Sequence, residues 1–304
     1  MNDWLNNQIT QVAILYYDKD ISQKEIGEIM RLSKMTISRM LQKAKEMKLV
    51  STKIILPFAI NRDIASSLEN VYKLDKAYVI KVKSENQIPK ELGKAWSFYM
   101  GVMDLNNKVI GVGIGNTLGS MVDCLTPMNT KNTHVIQLMG GMEDMTNFNP
   151  FTIVQEISKK LNAKGTFLTS YALAENKEIR DSIISSSQIG SELKKADMAI
   201  FGIGAIERST VVGLNLVNME IIKQVKHKGA VGDVLGHCFD VEGNFIDSKL
   251  EDRIVSISIK HLRKFKQLIA IAGGDYKKDV IKGALFSGII NTIVIDENTA
   301  RLIL

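Results

Sequence analysis

Residues 108–117, with the sequence KVIGVGIGNT, place a short apolar run directly before a glycine turn. The same pattern recurs at residues 134–141, 198–204 and 267–274, and shorter apolar runs stand at 79–80 and 292–296. Helical segments separate these runs, and a last helix is predicted from about Glu297. Nearly unbroken apolar strands that alternate with helices are typical of a parallel sheet covered on both faces. The sequence therefore predicts a large α/β domain of Rossmann-like architecture.

The glycines at the ends of these strands indicate where a ligand binds. In open α/β sheets, ligands occupy the crevice beyond the carboxyl ends of the strands. Glycine lets backbone N–H groups approach an anion, and the N-terminus of the following helix favours negative charge. The segment from Gly113 to Thr117 suits a phosphate or a sugar hydroxyl. It matches neither the GxGxxG nor the Walker pattern, so no nicotinamide or other cofactor is expected.

The first 57 residues have a different pattern. Apolar side chains recur at helical spacing through residues 4–17, and Ser22 with Glu25 forms a capping box for a second helix. Ser33 is the N-cap candidate of a third helix, and residues 49–56 have the pattern of an extended segment. These parts predict a (winged) helix-turn-helix domain over residues 1–57. A helical hairpin that packs against another protein is the alternative interpretation.

The charge of this region favours a helix-turn-helix that binds nucleic acid over a helical hairpin that packs against another protein. Residues 31–53 carry seven basic residues and one acid, a net charge of +6 that equals the formal net charge of the whole chain. A basic stripe within one short segment is typical of a surface that binds a polyanion. Residues near the start of the third helix would meet DNA bases, and those further along would meet phosphates. The expected DNA contacts are Lys34, Met35, Thr36, Ser38, Arg39 and Lys43.

Composition excludes several other classes of protein. The 304 residues are 45% hydrophobic and 24% charged, values that are ordinary for a soluble globular protein. No apolar run approaches the length of a membrane span, and the first residues do not resemble a signal peptide, so we expect a cytoplasmic protein. Cys124 and Cys238 stand 114 positions apart and the four histidines are scattered, so neither a disulfide framework nor a metal site is expected.

The N-terminal pattern resembles that of the SorC family of bacterial transcriptional regulators. The matching stretches are residues 13–17, 22–27, 32–41, 44–45 and 49–50. One departure is Arg31, which stands where the family usually has glycine in the turn. A left-handed conformation there would cost a side chain of order 1 kcal/mol.

The resemblance continues through the rest of the chain. The matching stretches are 111–118, 137–141, 202–204, 230–236 with 239–240 and 243, 252–253, 272–277, 281, 283–285 and 296–300. It implies that residues 58–304 form an effector-binding and oligomerisation domain that resembles sugar-phosphate isomerases and deaminases. It also implies that the chain binds operator DNA, responds to a sugar or sugar phosphate, and forms a homo-oligomer, usually a tetramer built as a dimer of dimers.

The resemblance also suggests an effector site. The phosphate would be held by Gly113, Gly115, Asn116 and Thr117, and the neighbouring strand end would be lined by Gly140 and Gly141. Asp233 would accept hydrogen bonds from the sugar hydroxyls. Lys277 would neutralise the anion, and Arg253 would assist it. Met139 stands where some relatives have lysine, which removes a Schiff base with an aldehyde as a mode of recognition. No catalytic residue is predicted. An isomerase or deaminase with an appended DNA-binding domain is the alternative function, with Asp233 as its only proposed base.

Overall fold

The computed structural model describes residues 2–51, 56–142, 149–187, 197–206 and 219–304. The chain divides into two compact units, Met1–Pro57 and Phe58–Leu304. We call them unit 1 and unit 2.

Unit 1 contains three helices in its described part. They are α1 (Asn2–Tyr17), α2 (Gln23–Met30) and α3 (Lys34–Glu46). One apolar cluster joins all three helices, and it consists of Ile9, Val12, Ala13, Ile26, Ile37, Met40, Leu41 and Ala44. Of the extended segment predicted at 49–56, residues 52–55 lie outside the described residues.

The predicted helix signals of unit 1 are confirmed. The Glu25 N–H donates to Ser22 Oγ at 3.3 Å, and the Ser22 N–H donates back to the Glu25 carboxylate at 3.1 Å. Ser33 Oγ accepts the Thr36 N–H at 3.1 Å and so caps α3. Arg31 ends α2 in the left-handed conformation, with φ 54° and ψ 42°. The turn between α2 and α3 therefore keeps the geometry for which glycine is preferred, although it carries an arginine.

Unit 2 is built on a seven-stranded sheet. Its strands are β1 (Lys76–Ile80), β2 (Val109–Val112), β3 (His134–Gln137), β4 (Lys164–Thr166), β5 (Met198–Phe201), β9 (Gln267–Ile271) and β10 (Thr292–Asp296). They lie in the order β1-β10-β9-β5-β2-β3-β4, and every neighbouring pair is parallel. The predicted parallel α/β domain is thus confirmed. The first half of the sheet extends from β2 outward to β4, and β5 then returns to the other side of β2. This reversal makes the junction of β2 and β5 the switch point of the sheet.

A second, antiparallel sheet was not predicted. It has the order β6-β7-β8, from β6 (Gly204–Ala205), β7 (Gly232–Val234) and β8 (His237–Phe239). Two- and three-residue strands have too few positions for an alternating pattern to be read in the sequence. This small sheet brings Asp233 opposite Gly204 in the register of β6 and β7.

The described helices of unit 2 are α4 (Arg62–Tyr72), α5 (Ile88–Gly101), α6 (Asn116–Cys124), α7 (Pro150–Leu161), α8 (Lys177–Ser186), α9 (Met219–His227), α10 (Ile259–Leu262), α11 (Lys278–Phe286) and α12 (Glu297–Ile303). Short 3-10 turns occupy Glu85–Gln87 and Asp275–Lys277. β2, β5 and β10 are buried along their whole length, as expected for strands covered on both faces. Cys238 is buried, and Cys124 is half-buried.

Candidate effector cleft and DNA-facing helix

A cleft lies at the carboxyl ends of three adjacent strands, β2, β5 and β9. Each strand contributes the loop that follows it, so three of the four glycine turns predicted from the sequence line one cleft. The lining residues are Pro89, Ile114, Gly115, Asn116, Thr117, Gly202, Ile203, Gly204, Asp233, Leu235, Ile271, Gly273, Tyr276 and Lys277. The cleft stands at the switch point of the sheet, which is where open α/β domains bind their ligands.

The N-terminus of α6 forms one side of the cleft. Gly115 precedes the helix with φ 142°, a backbone conformation that only glycine adopts readily. The first hydrogen bond of the helix runs from the Gly119 N–H to Gly115 O at 3.1 Å. The N–H groups of Asn116 and Thr117 precede that bond, so they have no acceptor within the helix. This turn can therefore donate to a bound anion, with the helix dipole in support.

Lys277 and Asp233 also line the cleft. Lys277 Nζ donates to Ile203 O at 2.8 Å, and burial holds the pKa of the lysine below its usual value, while the nearby Asp233 partly offsets that shift. Asp233 is only 8% exposed, and its Oδ2 accepts the Gly236 N–H at 3.0 Å. A Cβ on Gly204 would collide with the Asp233 carboxylate. The glycine at 204 therefore makes the room that places a carboxylate beside the lysine.

Hydrogen bonds to Asp296 and Thr299 hold the loop that carries Lys277 in place. The Gly274 N–H donates to Asp296 Oδ2 at 3.0 Å and to Thr299 Oγ1 at 2.8 Å. The Lys277 N–H in turn donates to Gly274 O at 2.8 Å. Gly274 has φ 106°, again a conformation that favours glycine. Asp296 and Thr299 are buried and were not among the predicted site residues, although an aspartate between a strand and a helix is a recognisable N-cap signal.

Five of the predicted effector residues line this cleft, and four do not. Gly115, Asn116, Thr117, Asp233 and Lys277 come together. Gly113 is buried below the cleft, where its N–H donates to Ile200 O at 2.9 Å.

Gly140, Gly141 and Arg253 also lie outside the cleft lining. The Gly140 N–H donates to Val255 O at 2.8 Å, the Gly141 N–H donates to Ser170 O at 2.7 Å, and Arg253 Nε donates to Ala174 O at 2.8 Å. These groups pair with distant parts of unit 2, so their N–H groups are already used in holding the fold.

In unit 1, α3 presents one exposed polar face. Ile37, Met40, Leu41 and Ala44 point into the core. The predicted DNA contacts lie on the other side and are all exposed: Lys34, Met35, Thr36, Ser38, Arg39 and Lys43. Thr36 Oγ1 is also within 2.8 Å of Ser33 Oγ, so its hydroxyl takes part in the cap. A basic, solvent-exposed helix with a capped N-terminus is the arrangement that a recognition helix needs.

Neither a metal centre nor a membrane span is found in the part of the chain that the structure describes. No group of three or more His, Cys, Asp and Glu side chains there could hold a metal ion. Nor does any described helix combine the length and the apolar character needed to cross a bilayer.

Comparison with known proteins identifies the family of this chain. Residues 57–304 match the model of a family described as "Putative sugar-binding domain". The deoxyribonucleoside regulator of Bacillus subtilis is 29% identical over 298 residues, which cover 96% of this chain and 95% of that protein. The erythritol catabolism regulatory protein EryD of Brucella abortus is 23% identical, with 97% of this chain and 95% of that protein covered.

Solved structures share the fold. The full-length sorbitol operon regulator SorC from Klebsiella pneumoniae matches with a TM-score of 0.73 at 24% identity, over 99% of each chain. A DeoR family transcriptional regulator from Listeria monocytogenes matches with a TM-score of 0.74 at 25% identity, over 80% of this chain and 99% of that one. These relatives are transcriptional regulators rather than enzymes. The chain belongs to the SorC family of sugar-binding transcriptional regulators.

Proposed function

We propose that this regulator controls a carbohydrate-utilisation operon and that the cleft of unit 2 binds a sugar phosphate as its effector. The observation that carries the proposal is that the N-terminus of α6 and the Lys277 ammonium face the same cleft. Both favour an anion, one through the helix dipole and free N–H groups and the other through its charge. Apolar side chains that line the same cleft, including Ile114 and Ile203, suit the carbon skeleton of a small ligand.

The charged and polar groups that line the cleft orient the ligand. The carboxylate of Asp233 repels a phosphate, whereas it accepts hydrogen bonds from hydroxyl groups. The phosphate therefore lies toward Gly115, Asn116 and Thr117, and the sugar hydroxyls lie toward Asp233. Lys277 lines the same cleft, and its ammonium can neutralise the phosphate.

Thermal unfolding against a panel of sugars, each with and without phosphate, tests this site. The panel includes pentoses, deoxypentoses and tetritols, because the relatives above are named for a deoxyribonucleoside and for erythritol. A ligand at about 100 times its Kd adds about 2.7 kcal/mol. At about 2–4 °C per kcal/mol, that shift in Tm is readily measured.

Two variants assign the shift to the cleft. We expect Lys277→Ala to abolish the shift given by a phosphosugar, while the matched control Lys278→Ala, at the exposed neighbouring residue, retains it. A panel with no shift, or a shift that Lys277→Ala leaves unchanged, contradicts a sugar phosphate at this site.

Unit 1 supplies the DNA-binding part of the proposed function. The exposed basic face of α3 is expected to bind operator DNA in the cytoplasm, with the chain assembled as a homotetramer. A symmetric assembly would present pairs of α3 helices to the two halves of an operator. Sedimentation of the full chain with DNA from upstream of its own gene checks both points. A monomer without salt-dependent affinity for that DNA would contradict them.

A further inference from the structure

The first residues of unit 2 are hydrogen-bonded both to β1 and to α12, the helix whose first turn also holds the loop that carries Lys277. Residues 59–61 run along the end of β1, where the Asn61 N–H donates to Val79 O and the Lys81 N–H donates to Ala59 O, each at 2.9 Å. We call residues 58–61 the leading segment, because they directly follow the boundary at Pro57. Every covalent connection between unit 1 and unit 2 passes through this segment.

Asn61 joins the leading segment to two helices. Its Oδ1 accepts the Ile64 N–H at 3.1 Å and caps α4, while its Nδ2 donates to Glu297 Oε1 at 2.9 Å. These partners are 236 positions apart in the chain. Glu297 is the first residue of α12, and its side chain is only 15% exposed. The leading segment is therefore tied to the N-terminus of α12.

The same end of α12 holds the loop that carries Lys277. Asp296 is the N-cap of α12, and its Oδ1 accepts the Thr299 N–H at 3.0 Å. Its Oδ2, together with Thr299 Oγ1, accepts the Gly274 N–H from the loop that carries Lys277. Asp296 is 2% exposed and Thr299 is fully buried. A displacement of the loop by a ligand must therefore either move the first turn of α12 or break buried hydrogen bonds, which is costly.

The far end of α12 is also attached to α4. Tyr72, the last residue of α4, donates its hydroxyl to Ile303 O at 2.5 Å. α4 thus contacts both ends of α12. Asn61, the N-cap of α4, bonds to the first residue of α12, and Tyr72, the last residue of α4, bonds to the last residue of α12. The two helices are expected to move together, because each end of the pair is hydrogen-bonded across.

We infer that α12 couples the effector cleft to the leading segment: ligand binding at Lys277 shifts α12 through Asp296 and Thr299, and Glu297 passes the shift to Asn61. This inference rests on the proposed function, since it assumes that the cleft is the effector site. It assigns Glu297 and Asn61 as positioning residues that do not touch the ligand. Helix shifts of this kind are a common means by which a small change at a site reaches a distant segment.

Substitutions at the Asn61–Glu297 contact can break it and restore it. Asn61→Asp keeps the oxygen that caps α4, but it removes the Nδ2 donor and places a carboxylate against Glu297. Adding Glu297→Gln supplies an amide donor to the new carboxylate, so the hydrogen bond returns with its direction reversed. The double variant is thus a rescue that a purely structural defect at position 61 would not show.

Amide hydrogen exchange on the full chain reads the coupling directly. The probe is inorganic phosphate, compared with chloride at the same ionic strength. We expect phosphate to slow exchange at residues 115–118 and 274–277 in all three proteins. At residues 59–64 we expect about a fivefold slowing in the unmodified chain and in the double variant, and none in Asn61→Asp.

Each other outcome overturns a specific statement. If phosphate protects the cleft but leaves residues 59–64 unchanged in the unmodified chain, the coupling is wrong and the effector site stands. If residues 59–64 respond equally in all three proteins, the coupling does not pass through Asn61 and Glu297, and the inference is also wrong. If phosphate fails to protect the cleft, the proposed effector site is wrong and the inference falls with it.

Discussion

Lys277 makes the proposed effector site sensitive to pH. Its pKa lies below the usual value for lysine because the side chain is buried, an effect that Asp233 only partly offsets. The ammonium attracts a phosphate only while it is protonated, so affinity falls as pH rises through the lowered pKa. We therefore expect weakening to begin at a lower pH than for an exposed lysine. Calorimetric titration with a phosphosugar above about pH 8, where its phosphate remains dianionic, measures this dependence.

A variant without the titrating group separates this effect from general alkaline destabilisation. Lys277→Met is expected to bind the phosphosugar weakly at every pH, with a flat profile over the same range. An equally steep decline in the variant would show that some other group titrates. Proton uptake provides a second check, because a bound anion raises the pKa of the lysine and should draw a proton from the buffer.

Arg31 lies in a conformation that costs free energy in unit 1. It has φ 54° and ψ 42°, and the Leu32 N–H still closes the turn onto Gly27 O at 2.9 Å. Arg31→Gly should relieve the left-handed strain and raise the free energy of unfolding of unit 1 by about 1 kcal/mol. Urea unfolding monitored within unit 1 measures the change. Arg31→Ala keeps the Cβ and should show no such gain, so equal stabilisation by both variants would contradict the strain argument.

At the scale of single elements, we expect α3 to make two separable kinds of contact with DNA. Arg39 lies near the start of the helix, where a guanidinium can reach a guanine edge, and Lys43 lies one turn further along. Arg39→Ala should cost about 1–3 kcal/mol of specific binding, and Lys43→Ala should lower the salt slope by about 1. Fluorescence anisotropy with operator and scrambled DNA at several salt concentrations distinguishes them. Equal losses on both DNAs for Arg39→Ala would make that residue a phosphate contact.

The elements of this chain differ in how far the sequence predicts them. Ser22, Ser33 and the apolar strand runs are local signals, because the residues that form a cap or a buried strand are neighbours in the chain. The family resemblance places Gly140 and Gly141 in the site, yet their N–H groups pair with Val255 and Ser170. Pairing between distant segments leaves no periodic trace in one sequence. The link from Asn61 to Glu297 was missed for this reason as well.

At the scale of the whole molecule, the proposed function assigns effector binding to unit 2 and DNA binding to unit 1. Unit 2, Phe58–Leu304, coincides with the part of the chain that matches the family model, residues 57–304. Its apolar cluster is formed from residues of unit 2 alone. A fragment of residues 58–304 should therefore fold and bind the same phosphosugar as the full chain.

That fragment provides the reference for a test of control. If the effector changes operator affinity by some factor, operator DNA must change effector affinity by the same factor, about 5–150-fold for typical couplings. We expect the fragment and the DNA-free chain to bind the phosphosugar equally, and the DNA-bound chain to bind it with a different Kd. Calorimetric titrations of the three species measure the factor. Equal Kd values in all three would mean that the ligand does not distinguish the DNA-bound arrangement from the free one, and a ligand without that distinction cannot regulate transcription.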